Sequence, residues 1–330
     1  MNNSQPKITV LVPSYNHGKY IRQRIESICN QTYKNIELFV IDDDSQDDSS
    51  EIISLLRAEY NFTYIQRERN SGTPFSAWED ICSLATGKFI WICESDDVAA
   101  PTFLEIAVAS LISDTSASMF YCSSLIIDKN SIEIGHTDDY FHGTWKETRW
   151  DTNFSADGNT ELHDYQIKGQ TVPNMSSALF TTQAFKAAFT PFIKWLRLTG
   201  DWLFVGEIMK QGRVIFNRTA LSYFREHEVT SRVRVQSARS QAEFIITKYH
   251  LFHSANLPVS SFATIMSSDV IRFLHESDSW FNVLKELLKV SRSDTIRVMI
   301  LLLVSTASNT SYVNKFKERY KHAKNLKTYD

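Results

Sequence analysis

The sequence predicts an α/β protein in which a mostly parallel sheet is covered by helices and is followed by a helical C-terminal region. Between residues 7 and about 127, short apolar runs rich in β-branched residues alternate with amphipathic segments of helical period. This alternation is typical of βαβ units. After about residue 231 the pattern is helical, and no internal repeat is present. A parallel sheet with helices on its faces is the architecture that such units build.

Five strands are predicted in the N-terminal part, at residues 7–12, 36–41, 62–66, 88–93 and 118–127. Apolar residues recur at helical spacing between them, which predicts a helix in each gap. The predicted buried faces consist of Ile21, Ile25, Ile28 and Cys29 in the first gap and of Ile52, Leu55, Leu56 and Tyr60 in the second. Further along, residues 174–185 resemble a strand that leads into a helix, and residues 201–210 are predicted to be helical.

The composition is that of an ordinary globular protein. The chain has 330 residues, of which 43% are hydrophobic and 22% charged, and its formal net charge is -3. This supplies ample apolar material for a core. The nearly balanced charge argues against a protein that binds nucleic acid through a field of basic charge. No nucleic-acid partner is therefore expected.

The cysteines and the apolar runs indicate the cellular compartment in which the protein is expected. Cys29, Cys82, Cys93 and Cys122 form no CxxC pair and no zinc spacing, so they are interpreted as buried thiols in a reducing compartment. The N-terminus shows no signal-peptide pattern, and the longest aliphatic run, residues 298–304, is too short to span a bilayer. A cytoplasmic location is expected.

The tail of the chain combines basic and aromatic side chains at helical spacing. They are Lys315, Lys317, Arg319, Lys321, Lys324 and Lys327, with Tyr312, Phe316 and Tyr320. Such a helix can lie on an anionic membrane, here the inner face of the plasma membrane. The alternative is a solvated terminal helix, since charge runs usually face water.

Polar side chains follow three of the predicted strands, where ligands of open parallel sheets bind. The first strand is followed by residues 13–16, which include Pro13 and Tyr15, the second by residues 42–44 and the fourth by residues 94–97. The six carboxylates of residues 42–44 and 94–97 would repel one another at one edge. A divalent cation with oxygen ligands is the commonest way to offset such repulsion. For Asp44, Asp47 and Asp48, helix capping explains the residue type equally well.

The glycines narrow the kind of nucleotide chemistry. No two of the ten glycines lie closer than six residues apart. Neither the G-x-G-x-x-G fingerprint nor the glycine spacing of a P-loop is therefore present. Phosphate binding without a glycine loop requires a metal and side chains, which the acidic edge can supply.

Several separated motifs resemble inverting glycosyltransferases of family 2, which have the GT-A fold. In chain order they are KITVLVPSYN, FVIDDDSQDD, NSGTPFSAW and ATGKFIWICESDD. The resemblance is dense over residues 7–127 and thinner as far as residue 232. It departs from the family at Asp44, where glycine or asparagine is usual, so a differently shaped loop is expected there.

The resemblance implies roles for residues at the acidic edge. Pro13 and Tyr15 would line the pocket for the base of the donor, and Asp43 would accept a hydrogen bond from the N3–H of uracil or thymine. Asp96 and Asp97 occupy the DxD position of the family. By this resemblance Asp97 binds Mn²⁺ or Mg²⁺, and Asp96 lies near the ribose or the metal.

Two later motifs supply the remaining candidates. In the family an acid at the start of a helix takes the proton from the attacking hydroxyl, and the resemblance assigns this role to Asp201; an N-cap explains the same residue about as well. The stretch LSYFREHEVTSR resembles an element from which His227 would complete the metal shell and Arg225 would contact a phosphate. A surface turn is the alternative. No role is assigned to the other histidines.

Together these features predict an inverting transfer of a sugar from a nucleoside diphosphate donor, UDP favoured, to a hydroxyl of a glycan or lipid-linked glycan. Surface polysaccharide assembly, such as that of O-antigen or capsule, is the setting that the resemblance implies. One alternative, a sugar nucleotidyltransferase, would need a glycine-rich activating loop. The other is an inactive scaffold that binds a sugar nucleotide or a glycan, which donor hydrolysis would distinguish.

The expected domain organisation follows from these motifs. A catalytic domain is expected over residues 1–230, with a nucleotide-binding half at 7–127 and an acceptor half at 128–230. A helical region is expected over residues 231–330. Residues 128–173 lose the alternating pattern and become polar and aromatic, and long segments of this kind are usually functional or disordered.

Overall fold

The structure is a computed structural model that describes residues 5–227, 237–262, 264–266 and 280–307. Its contacts divide the chain into two compact units, residues 1–230 and 231–330. The strands are β1 Ile8–Ser14, β2 Ile36–Asp42, β3 Thr63–Gln66, β4 Phe89–Ile92, β5 Val98–Ala99, β6 Ala117–Ile127, β7 Glu133–His136, β8 Phe154–Ala156, β9 Ala178–Thr181 and β10 Arg213–Arg225.

The helices of the first unit are α1 Gly18–Cys29, α2 Ser49–Tyr60, α3 Phe75–Leu84, α4 Phe103–Ser113, α5 Thr137–Trp145, α6 Gly158–Glu161, α7 Thr182–Ala188 and α8 Gly200–Met209. The second unit contains α9 Ala238–Ser254, α10 Trp280–Val290 and α11 Arg292–Ala307. All five predicted N-terminal strands are confirmed to within one or two residues at each end. The strand and helix predicted at residues 174–185 are also confirmed, as β9 and α7.

The described residues of the first unit form one sheet of ten strands. Its order is β3-β2-β1-β4-β9-β6-β10-β5, with β7 beside β6 and β8 beside β10. Neighbouring strands among β3, β2, β1 and β4 are parallel, as predicted. The whole sheet is mixed, because β9 lies antiparallel between β4 and β6. This insertion brings the later half of the unit into the same sheet as the earlier half.

The helices between the first strands cover the sheet with apolar faces. Ile21, Ile25 and Ile28 of α1 are fully buried, as their spacing predicts. In α2 the prediction is partly wrong, because Leu55 is 66% exposed whereas Ile53 is buried. Residues 53 and 56 are three apart and share the face toward the sheet, and Leu55 lies outside that stripe.

The aromatic segment 128–173 folds into short elements around a cluster of its own. Trp150 stacks on Phe141 with ring centroids 4.8 Å apart, and its indole N–H donates to the hydroxyl of Tyr121 at 2.9 Å. Phe216 of β10 packs against Tyr121 at 4.8 Å. The cluster therefore joins this segment to β6 and β10 through aromatic contacts rather than through long regular elements.

In the second unit, α9, α10 and α11 contact one another. None of the helices in the described ranges is both long and apolar enough to cross a membrane. The basic and aromatic tail lies outside the described residues. Its contact with a membrane stays a prediction.

The buried Trp150–Tyr121 hydrogen bond provides a test of the aromatic cluster. We expect Tyr121→Phe to lower the free energy of unfolding by about 1–3 kcal/mol, because a buried indole N–H loses its acceptor. In a Trp150→Phe background no donor is left unpaired, so the same change should cost about 1 kcal/mol less. Denaturant unfolding of the two single variants and the double variant measures this coupling. Additive costs would show that the hydrogen bond contributes nothing.

Candidate active site

The sheet brings the predicted polar residues to one edge. Ser14, at the end of β1, is paired in register with Asp42 at the end of β2. Residues 94–97 follow directly after β4, the other neighbour of β1. Because these strands are parallel, their carboxyl ends lie together. The acidic edge inferred from the sequence is therefore present.

Three side chains from distant parts of the chain form a group that could hold a metal ion. One ligand atom from each of His17, Asp96 and His227 lies within 4.8 Å of the others. The Nε2 atom of His227 is 3.1 Å from Oδ2 of Asp96, and Nδ1 of His17 is 2.6 Å from Oγ of Ser95. Two imidazoles and one carboxylate are a donor set that suits first-row transition metals. The residues fit a divalent cation.

The surroundings of Asp96 and His17 favour the forms of these two residues that bind metals. Burial would raise the pKa of Asp96, but the hydrogen bond with His227 and the charge of His17 lower it below its usual value. Burial lowers the pKa of His17, and His227 adds to this effect while Asp96 opposes it. An ionised carboxylate and a neutral imidazole are the forms that bind metals.

Asp97 lies behind the group rather than in it. Its side chain is 1% exposed; Oδ2 accepts from Oγ of Ser176 at 2.6 Å and Oδ1 from the backbone N–H of Arg225 at 2.9 Å. Burial, and then the charge of Asp96, raises its pKa to about 7. This geometry differs from the role predicted for Asp97, because Asp96 is the acid beside His227.

Arg225 is also held inside the protein. Its guanidinium donates to the carbonyl oxygens of Asp96 at 2.7 Å and Asp128 at 2.8 Å, and to the side chains of Gln23 and Ser131. The residue is 1% exposed and lies over the ring of Tyr20. The structure thus gives Arg225 protein acceptors in place of the predicted phosphate, and it fixes the loop that carries Asp96.

The residues predicted to contact the donor base lie on the same edge. Pro13 is buried, whereas Tyr15 is 45% exposed. Oδ2 of Asp43 accepts from the backbone N–H of Ser71 at 3.0 Å and from its hydroxyl at 2.8 Å, and Oδ1 lies 3.3 Å from Nε of Arg67. The carboxylate is therefore held in one orientation.

The loop at Asp44 accommodates its unusual residue. Asp44 has a φ of 64°, in the left-handed region that asparagine and aspartate enter more readily than most residues. An aspartate can therefore occupy a position where the family usually has glycine or asparagine.

Asp201 lies in the first turn of α8 and is half-buried. The N-cap position of this helix is Thr199, but Oδ1 of Asp201 accepts from the backbone N–H of Trp202 at 2.7 Å, so a role at the helix end stays an alternative for Asp201. Its charge reaches the acidic edge: the pKa of Glu94 is raised to about 8 by burial, then by Asp96, Asp97 and Asp201, against the opposing charge of Arg24. The structure therefore brings Asp201 into the electrostatic field of residues 94–97.

Two side chains that the structure places at the site, those of His17 and Ser176, were not predicted from the sequence. His17 directly follows the polar residues after β1, and this proximity was the available signal. Ser176 donates to Asp97 and accepts from the backbone N–H of Glu94 at 3.0 Å. No sequence pattern marks it, because its partners lie 79 and 82 residues away.

Comparison with known proteins agrees with this architecture. Residues 9–172 match the model of glycosyl transferase family 2, and this part of the chain belongs to that family. The protein is similar to the glycosyltransferase GlyG of Streptococcus pneumoniae, with 38% identity over 98 residues, which are 30% of this chain and 33% of GlyG. It is 33% identical to the abequosyltransferase RfbV of Salmonella typhimurium over 145 residues, 43% of this chain and 41% of RfbV. The matched part thus spans less than half of either relative.

The fold is also shared with a solved structure. TarS 1-349 of S. aureus, in complex with UDP, superposes with a TM-score of 0.62 at 19% sequence identity. The match covers 96% of this chain and 91% of that one. The GT-A fold predicted from the sequence is confirmed.

Asn substitutions at the two neighbouring acids test which of them binds the metal. We expect Asp96→Asn to weaken Mn²⁺ binding by more than about 100-fold and Asp97→Asn by about ten-fold, the lower end of the roughly 10–100-fold cost that is typical of changes outside the ligand shell. An Asn at 97 can accept from the Arg225 N–H and donate to the Ser176 hydroxyl. Titration followed by electron paramagnetic resonance measures free Mn²⁺.

The two histidines of the group provide further arms of this experiment. His17→Gln and His227→Gln should weaken Mn²⁺ binding as Asp96→Asn does. His163, which is exposed and pairs with Asp164, provides the control variant His163→Gln, which should bind Mn²⁺ normally. Loss of Mn²⁺ binding in Asp97→Asn, with retention in Asp96→Asn, would return the ligand role to Asp97.

Proposed function

We propose that this protein is an inverting glycosyltransferase that moves a sugar from a nucleoside diphosphate donor, UDP favoured, to a hydroxyl of a glycan or lipid-linked glycan. The observation that carries the proposal is that the charges of Asp201 and Asp96 both act on the buried Glu94, beside the His17, Asp96 and His227 group. A carboxylate that accepts the proton and a group of metal ligands are the two parts that this reaction needs. The family 2 match and the sugar transferases among the relatives support the same reaction class.

In this proposal Asp201 is the general base. It takes the proton of the acceptor hydroxyl as that oxygen attacks the anomeric carbon. The bond from the anomeric carbon to the nucleoside diphosphate breaks on the opposite face, so the configuration inverts. A divalent cation held by His17, Asp96 and His227 would neutralise the charge that develops on the departing diphosphate.

Asp43 selects the base of the donor in this proposal. Its carboxylate is held by Ser71 and Arg67 and can accept from an imide N3–H, which uracil has and cytosine lacks. The similarity to a structure that contains UDP supports this choice. Pro13 and Tyr15 lie at the end of the neighbouring strand, where they would line the base pocket.

The biological setting belongs to the same proposal. Residues 1–230 would form the catalytic domain, with donor binding mainly in its first half and acceptor binding in its second. Surface polysaccharide assembly in the cytoplasm, with the tail at the inner face of the plasma membrane, is the setting proposed from the family resemblance. The four free cysteines are consistent with a reducing compartment.

The general base is tested by Asp201→Asn. We expect turnover to fall by roughly two to four powers of ten, because the amide cannot accept the proton, while UDP binding stays unchanged. Release of UDP at saturating donor measures turnover, and calorimetry measures binding. Asp164→Asn, an exposed change, is the control. An Asp201→Asn variant with normal turnover would exclude Asp201 as the base.

The base selection is tested by binding of free nucleotides. We expect UDP to bind about 10–100-fold tighter than CDP, because a hydrogen bond to a charged group contributes about 1.5–3 kcal/mol. In Asp43→Asn the ratio should fall toward one, since an amide can donate to N3 of cytosine. Calorimetry with UDP, CDP and ADP gives the three affinities. Equal binding of CDP and UDP by the wild-type protein would overturn this assignment.

A further inference from the structure

The start of α8 lies unusually close to an aromatic ring of α3. A Cβ atom added to Gly200 would lie 2.4 Å from Cε2, 2.6 Å from Cζ and 2.9 Å from Cδ2 of Phe75. Real Cβ atoms do not approach other atoms this closely, so the ring occupies the space of the missing side chain. Asp201 is the next residue, and its backbone position depends on this contact.

The Phe75 ring has little freedom to move. It is 4% exposed and lies perpendicular to the Trp78 ring, with centroids 4.9 Å apart. Trp78 in turn packs against Phe204 of α8 at 5.1 Å. Close-packed aromatic groups of this kind transmit displacements, because the interior has no space to absorb them. A shift of Phe75 must therefore move the start of α8.

The segment before Phe75 holds the proposed nucleobase contact. Ser71 donates to Asp43 through its backbone N–H and its hydroxyl, at 3.0 and 2.8 Å. The backbone N–H of Phe75 lies 3.4 Å from Oγ1 of Thr73, and the Ser71 hydroxyl also contacts the Thr73 carbonyl at 2.9 Å. Only three residues thus separate Ser71, the partner of Asp43, from Phe75, whose ring contacts Gly200.

We propose that Phe75 is a positioning residue that links the nucleobase contact at Asp43 to the general base Asp201. A base bound at Asp43 fixes the segment 70–73, that segment fixes Phe75, and the Phe75 ring fixes the start of α8. Binding energy from the non-reacting end of the donor is thereby used to orient the proton acceptor. The inference rests on the proposed function, because it uses the roles given there to Asp43 and Asp201.

The contact between Gly200 and Phe75 can be tested by adding a methyl group at Gly200 and by removing ring atoms from Phe75. We expect Gly200→Ala to lower kcat by about 10–100-fold, since misplacement by about 1 Å can cost about 100-fold, while UDP affinity changes by less than about two-fold. Phe75→Leu removes Cε2 and Cζ, the two ring atoms that the new methyl would meet most closely. The double variant Gly200→Ala/Phe75→Leu should therefore recover at least about ten-fold of the lost kcat.

A matched glycine and a measurement of folding separate this effect from general damage. Gly143 lies in α5, and a Cβ added there meets no atom within 4 Å, so Gly143→Ala should leave kcat and UDP affinity unchanged. Thermal unfolding shows whether each variant is folded. If Gly200→Ala is unfolded, Phe75→Leu alone carries the test and should lower kcat with normal UDP affinity.

The link itself is tested by a cycle with Ser71→Ala, which removes one hydrogen bond to Asp43. Changes at two points of one path are expected to be less than multiplicative in kcat, whereas independent effects multiply. Multiplicative effects, or normal kcat in a folded Gly200→Ala, would overturn the inference. Either of these results would leave the proposed function intact if Asp201→Asn loses turnover. Normal turnover in Asp201→Asn would overturn the proposed role of Asp201 itself.

Discussion

The buried guanidinium of Arg225 is the interaction on which the geometry of the site depends. It donates to the carbonyl oxygens of the loops after β4 and β6 and to a side chain of α1, while its backbone N–H donates to Asp97. Burial of an arginine is costly unless its donors are paired, and here both its side chain and its backbone find acceptors. Because His227 is only two residues further on, the same contacts bring it to Asp96.

The second constraint is the number of carboxylates that share this small region. The pKa values of these acids are shifted in different directions. The pKa of Asp96 is lowered, whereas the pKa values of Glu94 and Asp97 are raised to about 8 and about 7. Arg24 opposes both increases from beneath the edge, where its buried guanidinium lies 5.1 Å from the centroid of the Trp91 ring. Among these three acids, Asp96 is therefore the one whose surroundings favour the ionised form.

The strands and the acidic edge could be predicted from the sequence because both depend on local patterns. β-branched runs mark the strands, and the parallel arrangement fixes which ends meet. The choice between Asp96 and Asp97 could not be predicted, because adjacent residues of an irregular turn point in different directions. The side chain of Asp97 is oriented by contacts from Ser176 and Arg225, which are 79 and 128 residues away in the chain. The burial of Arg225 and the position of His17 beside Asp96 could not be predicted for the same reason.

The antiparallel strand β9 brings the residues that make these long-range contacts into the same sheet as β1 and β4. It enters the sheet between β4 and β6, and Ser176 lies just before it in the 3₁₀ segment Met175–Ser177. β10, beside β6, ends at Arg225. His227, which follows β10, thus completes a group whose other members, His17 and Asp96, follow β1 and β4. Asp128 and Ser131, at the start of segment 128–173, accept hydrogen bonds from the guanidinium of Arg225, so this end of the segment helps to hold the group. The rest of the segment packs around its own aromatic cluster, which includes Phe141 and Trp150. The sheet and the start of this segment together therefore keep His227 beside Asp96.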